Sequence, residues 1–177
     1  MFMTHQQASE LAQPGVGSFD HPTPLVASQF TPIFVAGAVA IVAIDEASRV
    51  LLVRKYRAGA ARETLEIPAG TLKEGEDPAL CATRELKEET GYSASQWEPM
   101  GAFFSSPGFC TERMFLFLAR KLTPGTATPE EDESITVEGL ALAQAPDAIE
   151  RGEILDAKTI VGLLRVWRKL ESEHVNL

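Results

Sequence analysis

The stretch DPALCATRELKEETG (residues 77–91) admits essentially one local structure. Asp77 is a strong N-cap, Pro78 suits the first helical position, and Gly91 is the residue expected just past a helix C-terminus. A helix of set length is therefore pinned at both ends, and the segments around it are of another kind. IFVAGAVAIVAI (33–44) is an apolar run rich in β-branched residues, DEAS (45–48) reads as a turn, and RVLLVRKYR (49–57) reads as a second strand. That pair predicts a hairpin. ETLEIPAG (63–70) alternates polar and apolar residues before breaking at Pro68 and Gly70, and further strands are expected over 98–104, 114–119 and 135–142. The tail reads as a short helix, a break at Gly152 and a longer helix from Ala157. In that last helix Ile160, Leu163, Leu164, Trp167 and Leu170 keep a helical period. The order β-β-β-α-β-β-β-α-α predicts an α+β chain, an α/β/α sandwich with a mixed central sheet.

The texture sets in near residue 32. Residues 1–31, with scattered Pro, Gly and Gln and no sustained period, are expected to be a poorly ordered lead-in to one domain over 32–177. A net charge of −9 argues against a nonspecific grip on nucleic acid. It leaves small phosphorylated substrates open, because metal cations can bridge acid to acid. The longest apolar run, around 34–44, is too short for a membrane-spanning helix. Cys81 and Cys110 stand outside any CxxC, and no signal peptide opens the chain, so free thiols and a cytoplasmic location are expected.

The helix breaks a local rule. On a wheel, Ala79, Ala82 and Leu86 form an apolar side, with Glu85 and Glu89 beside it and Glu88 on its outer edge. Carboxylates at a core rim are partly desolvated and repel one another. Glu88 and Glu89 also sit in the last turn, where the helix dipole disfavours acids by about 0.3–1 kcal/mol each. Arg84 and Lys87 point away on the wheel and do not relieve this. A divalent cation would, and the all-oxygen donor set suits Mg²⁺ or Mn²⁺ better than zinc.

Gly70, Glu76, Arg84, Glu85, Leu86, Glu88, Glu89, Gly91 and Tyr92 fill the pattern G-x5-E-x7-R-E-U-x-E-E-x-G-U, where U is a bulky apolar residue. This resembles the signature of the Nudix hydrolases, with Tyr92 where an aliphatic residue is common. The resemblance runs from about residue 36 to 170 and implies the Nudix fold and Mg²⁺- or Mn²⁺-dependent hydrolysis of a nucleoside diphosphate linked to another moiety. It also implies Glu85, Glu88, Glu89 and the Ala69 carbonyl as metal ligands. Gly70, Glu76, Arg84 and Gly91 would hold the loop–helix geometry.

Three flanking segments resemble the ADP-ribose pyrophosphatase branch of that family. They are VRKYRAGAARETLEIPAG (53–70), FFSSPGFCTERMFLFLA (103–119) and GEILDAKTIVGLL (152–164). That implies ADP-ribose as substrate, with AMP and ribose 5-phosphate as products; another nucleoside diphosphate sugar such as GDP-mannose is the alternative. A non-catalytic nucleotide-binding regulator of the same fold is disfavoured, because every box glutamate is kept. Arg57 is the candidate phosphate fork. Pro107 and Gly108 are expected to wall the pocket, and Glu66 and Glu112 are candidate sugar or base contacts. In this branch the base that activates water is often a loop glutamate. TPGTATPEEDESI (123–135) offers Glu131 first and Glu133 next, with a solvated acidic loop as the plainer alternative. A homodimer is the family expectation, although residues 1–31 lack the strand pattern of the segments that relatives exchange between subunits.

Overall fold

A computed structural model describes residues 32–128 and 135–175. Among the described residues seven strands form two sheets. β1 (Ala38–Ala43), β4 (Ala69–Thr71), β5 (Tyr92–Phe104) and β6 (Arg113–Pro124) make the first, in the order β4-β1-β6-β5. β1 and β6 run parallel, and the other pairs are antiparallel. β2 (Arg49–Arg57), β3 (Arg62–Glu66) and β7 (Thr136–Ala141) make the second, antiparallel throughout, in the order β3-β2-β7. Three α-helices complete the described residues: α1 (Pro78–Thr90), α2 (Ala145–Glu150) and α3 (Ala157–Val175).

Every residue of β1 is buried, which is why its sequence shows no polar alternation. Val39, Ile41 and Ala43 pack with Cys81, Ala82 and Leu86 of α1 on one side. Ala38, Ala40 and Val42 pack with Leu163 and Val166 of α3 on the other. The sandwich expected from the element order is the one found, and among the described residues no helix is long and apolar enough to cross a membrane.

The predicted hairpin of β1 and β2 is not one. Asp45 Oδ1 accepts from the amides of Ala47 and Arg49 and closes the turn, and a single bridge joins Ile44 to Val50. Beyond it the strands part into different sheets, because β1 is taken up by β6 on one side and β4 on the other. Segment 63–70 likewise splits in two. Pro68 cannot donate to a ladder, so β3 ends at Glu66 on β2 and the chain crosses to the first sheet, resuming as β4 on β1. β5 begins at Tyr92, earlier than expected, because residues 92–97 pair with β6 as an edge ribbon in which half-exposed and fully exposed side chains are equal in number.

α1 is capped as predicted. Asp77 Oδ1 accepts from the Ala79 amide at 2.8 Å, and Gly91, at φ 77°, donates to the Lys87 carbonyl at 2.9 Å. Its first turn stands clear of the sheet, so Ala79 is exposed and Cys81 takes the place expected for it in the apolar face. In α3, Leu164 is likewise turned outward, 38% exposed, while Leu163 and Val166 are buried. Cys81 and Cys110 are both free thiols.

Candidate active site

The crossing from β3 to β4 sets the site. It puts Glu66 at the end of the β3-β2-β7 sheet and Ala69–Gly70 in the β4-β1-β6-β5 sheet, with α1 lying across the latter. Glu85 and Glu89 fall on the buried face of α1, 9% and 3% exposed, while Glu88 is half-buried. Burial pushes the Glu85 carboxyl above its ordinary value. It pushes Glu89 up to about 7, further than the nearby Lys55 charge can pull it back, and the Glu85 charge adds to the rise. A Cβ built at Gly70 would overlap the Glu85 carboxylate, so only glycine leaves that carboxylate its place against β4.

The wheel misjudged Arg84. Its guanidinium grips Glu76 through Nε (2.9 Å) and Nη2 (3.0 Å), and Nη1 donates to both Glu85 and Glu88 (2.9 Å to the latter). A wheel reports where Cβ points, and arginine is long enough to curl back along the helix. The Arg84 hydrogen bonds hold Glu76 down at about 2, and Glu76 also accepts the Lys73 amide. Together these contacts clamp the loop over 71–77 to α1. Gly91 serves a similar end at the other terminus, where a Cβ would meet the Ala127 amide at 2.7 Å.

A cavity of about 530 Å³ opens beside α1. It brings together Arg57, Ala69, Glu85, Glu88, Glu89 and Glu112 from the expected residues, and Lys55, Ser105, Ser106, Asp156 and Lys158 besides. Pro107 and Gly108 are exposed at the tip of the β5–β6 loop, with open space around the Gly108 Cα; the two serines before them form the wall instead. Glu66 lies beneath Arg57 and Lys158, 1% exposed. Its Oε1 accepts from Arg57 Nε (2.8 Å) and Thr64 Oγ1 (2.6 Å), and its Oε2 from Arg57 Nη2 (2.7 Å) and Lys158 Nζ. Burial would raise this carboxyl, but Arg57, Lys158 and Thr64 overcome it and hold Glu66 at about 2. Glu66 thus anchors two cations rather than facing the cavity. A second cavity of about 310 Å³, which Glu66 does line, adjoins and shares Arg57, Asp156 and Ala157 with the first. Glu131 and Glu133 lie outside the described residues.

Lys55 and Lys158 escaped the sequence reading. Strand alternation could have found the first, since Lys55 stands two residues before Arg57 on the same face of β2. Asp156 could have flagged the second. It caps α3, accepting from the Thr159 amide and hydroxyl and from Lys158 Nζ at 3.0 Å, while the Ile67 amide donates to Thr159 Oγ1 at 3.0 Å.

The cavity therefore has an acidic wall of box carboxylates and a basic wall where Arg57 and Lys158 meet on Glu66, with Lys55 in direct contact with Glu89. Among the described residues no three acidic, histidine or cysteine side chains converge as a ready-made coordination sphere, because the box carboxylates face Arg84 and Lys55. The donor set is nevertheless all oxygen, two of its carboxylates are buried with raised pKa values, and the glycine cradle shapes one of them. These residues fit a hard divalent cation. The thiol of Cys81, pushed by burial up to about 12, is no candidate nucleophile.

The NUDIX domain model matches residues 35–160. The chain belongs to the Nudix hydrolase family. Members of this Nudix family generally need a divalent metal and act on small nucleoside diphosphate derivatives. The chain is 41% identical over 125 residues to the ADP-ribose pyrophosphatase of Bacillus subtilis, covering 70% of this chain and 68% of that protein. It is 40% identical over 129 residues to the methanol dehydrogenase activator of Bacillus methanolicus, covering 72% and 70%. The crystal structure of an ADP compounds hydrolase superposes with a TM-score of 0.71 at 27% identity, over 77% of this chain and 74% of that one.

Proposed function

We propose that this Nudix protein hydrolyses the pyrophosphate bond of ADP-ribose to AMP and ribose 5-phosphate. Mg²⁺ or Mn²⁺ would be held by Glu85, Glu88, Glu89 and the Ala69 carbonyl. The observation that carries the reading is the meeting of two walls in one cavity: the box carboxylates, with Lys55 against Glu89, and the Arg57 and Lys158 pair braced on Glu66. Bound at the acidic wall, a divalent ion supplies Lewis-acid polarisation of the P–O bonds and a more acidic bound water. Arg57 and Lys158, braced on Glu66, offer N–H donors to phosphate oxygens on the basic side. Ser105, Ser106 and Glu112 line the same cavity and suit ribose or base hydroxyl and amino groups.

A carboxylate must take the proton from the attacking water and aim it in line with the leaving phosphate. Glu131 is assigned that task, with Glu133 next and Glu89 as the box residue nearest the chemistry. The Thr128 amide, three residues before Glu131, donates to the Glu88 carbonyl at 3.0 Å, which supports a loop base by tying that loop's stem to the box helix. A homodimer and a cytoplasmic location belong to the same proposal.

Purified protein incubated with ADP-ribose and Mg²⁺ should release AMP, followed by chromatography. Glu89→Gln should abolish turnover with the fold intact, and full activity in that variant would contradict the ligand set. Glu131→Gln and Glu133→Gln, compared side by side, decide the base; equal mild losses would reject both. A substrate panel in which GDP-mannose is cleaved faster than ADP-ribose would overturn the choice of sugar.

A further inference from the structure

The box carboxylates have a rival for any metal ion, and it comes from outside the box. Lys55 sits in the middle of β2, paired with Thr64 of β3, and is 7% exposed. A buried ammonium needs an anion beside it. Lys55 Nζ finds it in Glu89 Oε1, while the other oxygen of that carboxylate accepts the Ala69 amide. The cavity on which Lys55 and Glu89 open is the one lined by Glu85 and Glu88. A protein cation thus occupies the Glu89 oxygen that the backbone leaves open.

We propose that Lys55 is a positioning residue for the metal. It orders Glu89, yields Oε1 when a divalent ion loads, and by its charge sets how tightly that ion is held. The inference rests on Glu89 being a metal ligand. The sign follows from electrostatics. Any ion bound by Glu89 lies within a few ångströms of the Lys55 ammonium, and a +1 and a +2 charge about 5 Å apart repel enough, even at water's dielectric constant, to weaken binding about tenfold. Removing the charge while keeping an N–H donor should therefore tighten the site.

The probe is Mn²⁺ alone, with free ion counted by electron paramagnetic resonance at mildly alkaline pH, where protons compete least. Four proteins are compared: wild type, Glu89→Gln, Lys55→Gln and the surface control Lys87→Gln. Uptake by wild type and its loss in Glu89→Gln establish the ligand. Given those, Lys55→Gln is expected to bind Mn²⁺ about tenfold more tightly, with Lys87→Gln unchanged. Its melting temperature should fall without metal and rise more than that of wild type on adding Mn²⁺. Unchanged or weaker binding overturns the proposal while leaving the ligand reading intact. Absence of uptake by wild type overturns both. Should Lys55→Gln fail to fold, acetylation of the unaltered protein decides: Lys55, mapped by mass spectrometry, should react faster once Mn²⁺ is bound, and an unchanged or slower rate refutes the exchange.

Discussion

Replacing Glu66 by Gln removes a buried charge and almost nothing else. In the folded protein this carboxylate takes two hydrogen bonds on each oxygen, from Arg57, Thr64 and Lys158, and is held at about 2 against an ordinary 4.5. That depression favours the ionised folded form by up to about 3 kcal/mol. Since the folded value is the lower one, the contribution is complete above the unfolded pKa and drains away as pH falls from 4.5 towards 2. Glutamine keeps the shape and one acceptor oxygen but leaves Arg57 and Lys158 without their shared anion. Urea unfolding at about pH 7 should place Glu66→Gln about 2–3 kcal/mol below wild type, and the gap should narrow markedly by about pH 3. A loss under about 1 kcal/mol at neutral pH, or an equal loss at both, would refute the claim that this charge organises the basic wall.

Two other perturbations separate the site from the scaffold. Gly70→Ala puts a methyl group where the Glu85 carboxylate lies, and that flexible side chain can swing aside. The melting temperature should barely move while Mn²⁺ affinity drops about tenfold or more; unaltered affinity by calorimetry would deny that the carboxylate's place matters. Thr159→Val strips the Ile67 amide of its acceptor in a fully buried position. The expected cost is about 1–3 kcal/mol in the urea midpoint, and a neutral effect would mean that the β3–β4 crossing is held by something else.

Much of the scaffold was legible because its signals are local. Asp77, Pro78 and Gly91 bracket α1 through their own backbone preferences and need no distant partner. The box is legible for the same reason, its spacing being a property of one loop and one helix. Contacts made across the fold were not. The β1–β2 pair looked like a hairpin because nothing in either strand says that β6 and β4 will claim β1 first. Arg84 was read as pointing away from Glu85 and Glu89 because a wheel has no side-chain length, and Ser105 and Ser106 went unnamed beside Pro107 and Gly108 because a turn announces itself in sequence while a wall does not.

The chain's own order of residues determined the family, the helix bearing the glutamates and the need for positive charge beside them, since each follows from spacing along a short segment. Tertiary structure alone decided which charges answer that need. Arg84 answers from the helix itself and Lys55 from β2, and only the packing of two sheets at the Pro68 crossing brings Lys55 to Glu89 and sets Lys158 of α3 around the same cavity. The reason is physical: burial and charge pairing depend on distance in space, which the linear sequence does not carry.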